Sequence, residues 1–171
     1  VLDSLVHMRT ETDMWIELTT LLIPGHNDSS DELTAMCRWV LAELGADTPI
    51  HFTRFHPDYR MLDVPATPPE TLTRARAIAL DVGLRYAYTG NVHDTVGGAT
   101  LCPGCGDEVV VRDWYDIEKW KLDGSGHCRS CGTAVAGVYD GPPGEWGRRR
   151  QAVQLATGTP IKIPAPRRRT T

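Results

Sequence analysis

No apolar run in this sequence approaches the roughly 20 residues that a bilayer-spanning helix requires, and its start lacks the basic-then-apolar pattern of a signal peptide. Those absences exclude a helical membrane protein and make a cytoplasmic chain the default expectation. Cysteine is scarce, five in 171 residues, and an odd count in a reducing compartment argues against a disulfide framework. A large excess of one charge is missing too: 18 basic against 22 acidic residues leave a net charge of -4. That balance hides an asymmetry, because residues 141–171 hold seven basic residues against Glu145 alone. The acidic body makes nucleic acid an unexpected partner. The Arg148-Arg149-Arg150 and Arg167-Arg168-Arg169 runs read as a solvated basic tail.

What is present is enough for a packed core: 41% hydrophobic and 23% charged residues are the proportions of a folded soluble chain. Trp15 to Ile23 is rich in β-branched and bulky residues and stops at Pro24-Gly25, which predicts a strand ending in a turn. Ser29, with Glu32 three residues on, forms a capping box that opens a helix. Leu33, Met36, Cys37, Val40, Leu41 and Leu44 make its apolar stripe, and Gly45 ends it. Cys37 on that stripe reads as buried packing. The grammar then repeats. Ile50 to Phe55 predicts a strand, Thr67 caps a helix with Pro at its start and Glu70 three residues later, Gly83 closes it, and Arg85 to Thr89 predicts a third strand. Strand, helix, strand, helix, strand is the pattern of a parallel sheet with right-handed crossovers. Two such units cannot close a barrel, and the chain begins Val1-Leu2-Asp3 without an initiator Met, so the expectation is a fragment.

Beyond a turn-rich linker at residues 92–98 lie Cys102-Pro103-Gly104-Cys105-Gly106 and Cys128-Arg129-Ser130-Cys131-Gly132, two C-x-x-C-G knuckles separated by 22 residues. In each, two thiolates about one turn apart address one ion, and the glycine lets the backbone turn back. Val109, Val110 and Val111 with Trp114, Tyr115 and Trp120 are expected to supply hairpin strands between them. A module of about 40 residues builds too small a core alone, so the metal must contribute to its folding. Zinc in a closed four-cysteine structural site is the first choice; a mononuclear iron has the same spacing available to it. His127 beside the second knuckle is a conceivable substitute ligand that four cysteines make unnecessary.

In α/β sheets ligands gather at the carboxyl ends of the strands. Those ends carry Pro24-Gly25-His26-Asn27-Asp28, then His56-Pro57-Asp58-Tyr59, then Gly90-Asn91. Asn27 reads as a ligand contact or as a turn residue, His56 as a ligand contact or a loop hydrogen-bonder, and His51 inside its strand as structural.

The run Leu21 to Asp28, the later Phe52-Thr53-Arg54-Phe55-His56-Pro57, and Tyr86-Ala87-Tyr88-Thr89-Gly90-Asn91-Val92 followed by C-P-x-C-G together resemble the last β/α units of radical S-adenosylmethionine enzymes. More narrowly they are similar to the pyruvate formate-lyase activating enzyme group, and within it to the AmmeMemoRadiSam-system radical enzymes. The resemblance covers about residues 1–139. It implies a partial TIM barrel that holds a [4Fe-4S] cluster and S-adenosylmethionine and generates a 5'-deoxyadenosyl radical. It places His56 against bound S-adenosylmethionine, and Thr19 where activating enzymes carry an arginine, a departure at that contact. The family's C-x-x-x-C-x-x-C cluster motif does not occur in this chain, so a missing barrel half or partner chain must carry it.

The expected organisation is therefore residues 1–97 as the carboxyl-terminal portion of an α/β partial barrel, residues 98–140 as a zinc-ribbon-like β module, and residues 141–171 as a disordered basic tail. The expected function is that of a radical oxidoreductase, inactive as this chain alone. The competing expectation, from another class, is a non-catalytic zinc-ribbon module that contacts protein or nucleic acid.

Overall fold

The computed structural model describes residues 1–139; the basic tail expected at residues 141–171 lies outside them. Helix α1 (Leu2–Glu11) comes first. No apolar stripe announces it, because none of its residues is buried; it is held by Leu5 against the core and by Arg9 Nε, which donates to Leu44 O at 2.9 Å.

Strand β1 (Leu18–Leu22), helix α2 (Ser30–Glu43), strand β2 (Ile50–Arg54), helix α3 (Pro69–Val82) and strand β3 (Ala87–Gly90) follow in the expected alternation. The strands pair in parallel in the order β1-β2-β3, with Leu18 opposite Ile50 and Ile50 opposite Ala87. The ladder starts at Leu18 rather than Trp15: Leu18 N donates to Pro49 O at 2.9 Å, and Pro49 has no N–H with which to extend it.

Both crossover helices lie on one face of the sheet. Leu22, Ile50, Phe52 and Ala87 from the strands meet Leu33, Cys37, Val40, Leu72, Ala75 and Ala79 from the helices in one buried cluster. The expected cap is in place in modified form: Ser29 Oγ accepts from Glu32 N at 3.3 Å, and the Glu32 carboxylate reaches back to the Ser29 hydroxyl at 2.6 Å in place of the backbone amide of a full capping box. Ser29→Ala is expected to cost about 1 kcal/mol, read as a lower urea midpoint at unchanged slope; an unchanged midpoint would show that the box contributes nothing. At the other end of this layout, Gly83 at φ 113 closes α3, with Leu84 N reaching back to Ala79 O at 3.0 Å.

Thr67 departs from its expected role. Pro68 occupies the cap of α3 and makes no side-chain bond to the helix. Pro69 in the first turn brings no amide hydrogen, so the helix has fewer donors to satisfy. The Thr67 hydroxyl instead donates to Leu22 O at 2.6 Å and accepts from Phe55 N at 2.9 Å, tying the ends of β1 and β2 together in a fully buried position.

The second sheet is antiparallel, in the order β4 (Thr100–Leu101), β5 (Glu108–Asp113), β6 (Asp116–Trp120). Trp114 and Tyr115 are the turn of its hairpin and not strand residues; Trp114 takes φ 54, and both rings are exposed. This sheet packs on the side of β3 that the helices leave bare. Tyr86 and Tyr88 enter one cluster with Val109, Val110, Leu122 and Val135. The Tyr86 hydroxyl accepts from Ala136 N at 3.0 Å, and the Tyr88 hydroxyl lies 3.0 Å from Thr100 Oγ1. Among the described residues no helix is long and apolar enough to cross a membrane.

Candidate metal centre

The knuckles flank the β5–β6 hairpin in sequence, one between β4 and β5 and the other after β6, and they are built alike. In the first, Cys102 N donates to Asp107 O at 2.8 Å and Gly106 N to Cys102 O at 2.9 Å. In the second, Cys128 N donates to Thr133 O at 2.9 Å and Gly132 N to Cys128 O at 2.8 Å. Gly106 and Gly132 have φ 75 and φ 76, the left-handed conformation that favours a residue without Cβ. The pattern C-x-x-C-G is therefore a folding instruction as well as a ligand set.

The result is one thiol cluster. Cys102 Sγ and Cys131 Sγ are 3.5 Å apart, Cys105 Sγ and Cys128 Sγ 3.9 Å, and all four sulfurs lie within 4.8 Å of one another. Tetrahedral zinc with Zn–S bonds of about 2.3 Å sets its sulfurs about 3.8 Å apart, so the cluster fits such an ion. Cys102 and Cys128 are buried in the tyrosine-walled core, while Cys105 and Cys131 face outward.

The electrostatics of the bare cluster are conflicted. The side chain and amide of Thr133, with the Thr133 hydroxyl 3.2 Å from Cys131 Sγ, bring the Cys131 thiol down to about 6. The Asp107 amide pulls Cys105 the same way, but the surrounding thiols of Cys131, Cys102 and Cys128 push it up to about 12. Four thiols this close do not ionise side by side, and a divalent cation at their centre removes the conflict. The knuckles are also clamped together. The Asp107 carboxylate accepts from Lys121 Nζ at 2.9 Å and from Ser130 Oγ at 2.8 Å, bonds that hold it below the usual carboxylate range.

His127 stays outside this set, with Nδ1 3.5 Å from Asp123 Oδ1 in the adjoining turn. The fifth cysteine, Cys37, lies on the buried face of α2 with no exposure, where burial raises its thiol to about 11. With four sulfurs gathered in a cluster sized for a single ion and the fifth sealed in a core, the cysteines of this chain do not fit a [4Fe-4S] cluster.

The other sequence-nominated residues lie elsewhere. His56 is exposed just past β2, its Nδ1 2.7 Å from Pro57 O. Thr19 is exposed on the helix-free face of β1, opposite His51 in the ladder. Asn27 spends its amide on the end of β1: Oδ1 accepts from Ile23 N at 2.7 Å and Nδ2 donates to Leu21 O at 3.0 Å.

Sequence reasoning missed a polar row on that same face. His51 Nε2 lies 3.0 Å from Glu17 Oε2, and the His51 ring stacks on Tyr88 with centroids 4.9 Å apart. The available signal was the alternation of Glu17, Thr19 and Leu21 with inward Leu18, Thr20 and Leu22, which marks a second face that is not a helix-covered core.

No protein-family model matches this chain, and no solved structure matches it. Among curated proteins, the chain is 43% identical over 123 residues to an uncharacterized protein of Methanocaldococcus jannaschii, a match covering 71% of this chain and 37% of the relative. The chain thus spans little more than a third of the curated relative it matches.

Proposed function

We propose that this chain is the carboxyl-terminal part of a radical S-adenosylmethionine oxidoreductase, similar to activating enzymes, with its parallel sheet the last β/α units of a partial TIM barrel and its thiol cluster a structural zinc site. The observation that carries the reading is a parallel sheet with both crossover helices on one face and a bare edge at β1, the ribbon covering the other face only beside β3. Both crossovers of β1-β2-β3 lay their helices on the same face, as successive right-handed units of a barrel do. Parallel sheets are ordinarily buried on both sides. Here Thr19 and Leu21 are exposed on the bare face, and β1 ends the sheet as an edge strand, Leu18-Thr19-Thr20-Leu21-Leu22, with no charge or proline to blunt it. Further strands beside β1 supply what that edge lacks, and the relative of greater length has room for them.

In this reading the cofactors supply the radical chemistry, and the cluster's ligands come from the part of the protein beyond this chain. His56, whose Nδ1 is engaged by Pro57 O, offers Nε2 at the carboxyl rim to bound S-adenosylmethionine. Thr19 lies on the face that a closed barrel would turn inward and contributes a hydroxyl where an arginine stands in activating enzymes. The zinc centre has no open position, and its task is to hold the antiparallel sheet against Tyr86 and Tyr88.

The alternative, a free zinc-ribbon module that binds nucleic acid or protein, has less support because the ribbon's core is completed by the parallel sheet. The deciding experiment joins this chain to the polypeptide encoded upstream, reconstitutes it anaerobically with iron and sulfide, and measures 5'-deoxyadenosine released under a strong reductant. The expected result is release by the joined protein, its loss in His56→Ala, and none from this chain alone. Upstream sequence without C-x-x-x-C-x-x-C, or a joined protein that binds no cluster, sinks the reading. Nucleic-acid binding that falls steeply between low and moderate salt supports the alternative.

A further inference from the structure

The zinc centre leaves unexplained a cleft between the two sheets, and its walls are chemically specific. Glu17, just before β1, accepts from the Trp15 indole N–H at 2.8 Å and meets His51 Nε2 at 3.0 Å. Burial works to raise the Glu17 carboxyl, but the bonds to Trp15 and His51 and the nearby charges outweigh it, so it lies below its ordinary value. His51 stacks on Tyr88 from one side, and Arg112 of β5 lies over the same ring with its guanidinium carbon 5.3 Å from the centroid. Two adjoining cavities of about 230 Å³ and 220 Å³ share His51, Tyr88 and Arg112 as walls. The second continues between Trp15, Trp120 and Tyr139.

The acidic groups of the cleft are already engaged. Glu17 is bound by Trp15 and His51; Asp94 accepts from the Thr89 hydroxyl at 2.9 Å and the Gly97 amide at 2.8 Å; Asp113 lies 3.3 Å from His93 Nδ1. Arg112 hydrogen-bonds a neutral hydroxyl, Thr100 Oγ1 at 3.0 Å, and lies over an aromatic face, while the Glu17 carboxylate across the second cavity feels its charge. A guanidinium carries several donors in a planar fork suited to two oxygens of a carboxylate or phosphate, and one bond to Thr100 leaves most of them for a ligand. That cation sits in a chain whose net charge is -4. The aromatic rings beyond it offer flat apolar surface but no charge of their own.

We propose that this cleft is a binding site for a small ligand bearing a carboxylate or phosphate, its anionic group on Arg112 and its planar apolar body among Trp15, Trp120 and Tyr139. Each cavity is smaller than the usual pocket for a large organic ligand, about 300–1,000 Å³, so the occupant is fragment-sized or one end of something longer. One wall belongs to the parallel sheet and the other to the ribbon, so the zinc centre, by fixing β5 and β6, also builds the site. The inference holds for the described residues alone and does not rest on the radical-enzyme reading.

The test uses the zinc-loaded chain and phenyl phosphate as probe, with phenol as its uncharged counterpart, and follows the indole N–H resonances of Trp15 and Trp120. Phenyl phosphate is expected to shift both saturably, and phenol at equal concentration to leave them in place. Arg112→Gln is expected to weaken the probe by about tenfold, the loss of one charge-assisted contact, while Arg60→Gln on the exposed loop after β2 leaves it unchanged. If Arg112→Gln fails to retain zinc, His51→Gln carries the comparison, with weakened binding again expected. No saturable shift at millimolar phenyl phosphate, equal shifts by phenol, or full-strength binding in zinc-replete Arg112→Gln or His51→Gln overturns the proposal.

Discussion

Stripping the metal with a chelator, or replacing Cys128 by Ser, is expected to unfold residues 100–139 while the parallel sheet and its helices stay folded. The antiparallel unit has little else to hold it. Its buried apolar residues are few, and two of them are the ligands Cys102 and Cys128. Structural zinc in modules of this size supplies on the order of 10 kcal/mol of folding free energy, more than the stability of most small domains. The other core is self-sufficient, since every member of the Leu22 to Ala87 cluster comes from α2, α3 and the three parallel strands or from the turns that end them. Elemental analysis should find about one zinc per chain and no inorganic sulfide, and each of the four Cys→Ser changes should abolish it. Hydrogen exchange should then show lost protection across β5 and β6 with protection kept in β2. Acid should act as a chelator does, because protons compete for the thiolates. A brown protein with stoichiometric sulfide, or zinc retained in the Ser variants, would refute the four-cysteine site.

Features set by residues adjacent in sequence were legible, and features set by partners distant in sequence were not. The knuckles could be read because ligand identity, spacing and the left-handed glycine all fall within five consecutive residues. The Ser29 box and the Gly83 stop are equally local. The strand at Leu18 was legible in kind but not in length, because its start depends on Pro49, far along the chain. Trp114 and Tyr115 have high strand propensity, yet they form the turn, since the register of β5 on β6 places Asp113 opposite Asp116. The Glu17 and His51 contact, between residues 34 apart, exists only because the parallel register puts Leu18 beside Ile50. Asn27 shows the converse: its position at a strand's carboxyl end suggests a ligand contact, but the amide is spent on backbone groups of its own turn.

Thr67→Val is expected to destabilise the protein by about 2–5 kcal/mol, a cost well above that of Ser29→Ala although both residues were read from sequence as helix caps. Valine matches the shape of threonine but not its hydroxyl. It would leave Leu22 C=O and Phe55 N–H without their partner, in residues that are 0% and 7% exposed, and water does not reach such groups to replace the bond. Thr67→Ser keeps the hydroxyl and gives up one methyl, at about 1 kcal/mol, so the pair separates hydrogen bonding from packing. Urea titration at unchanged slope is the measurement, and a Val variant as stable as Ser removes the argument. The functional consequence follows from position. Thr67 joins the carboxyl ends of β1 and β2, and Asn27 and His56 leave the sheet within a few residues of that joint. The hydroxyl therefore sets the spacing of the rim on which His56 is presented, and its loss is expected to loosen the rim even where the helices remain.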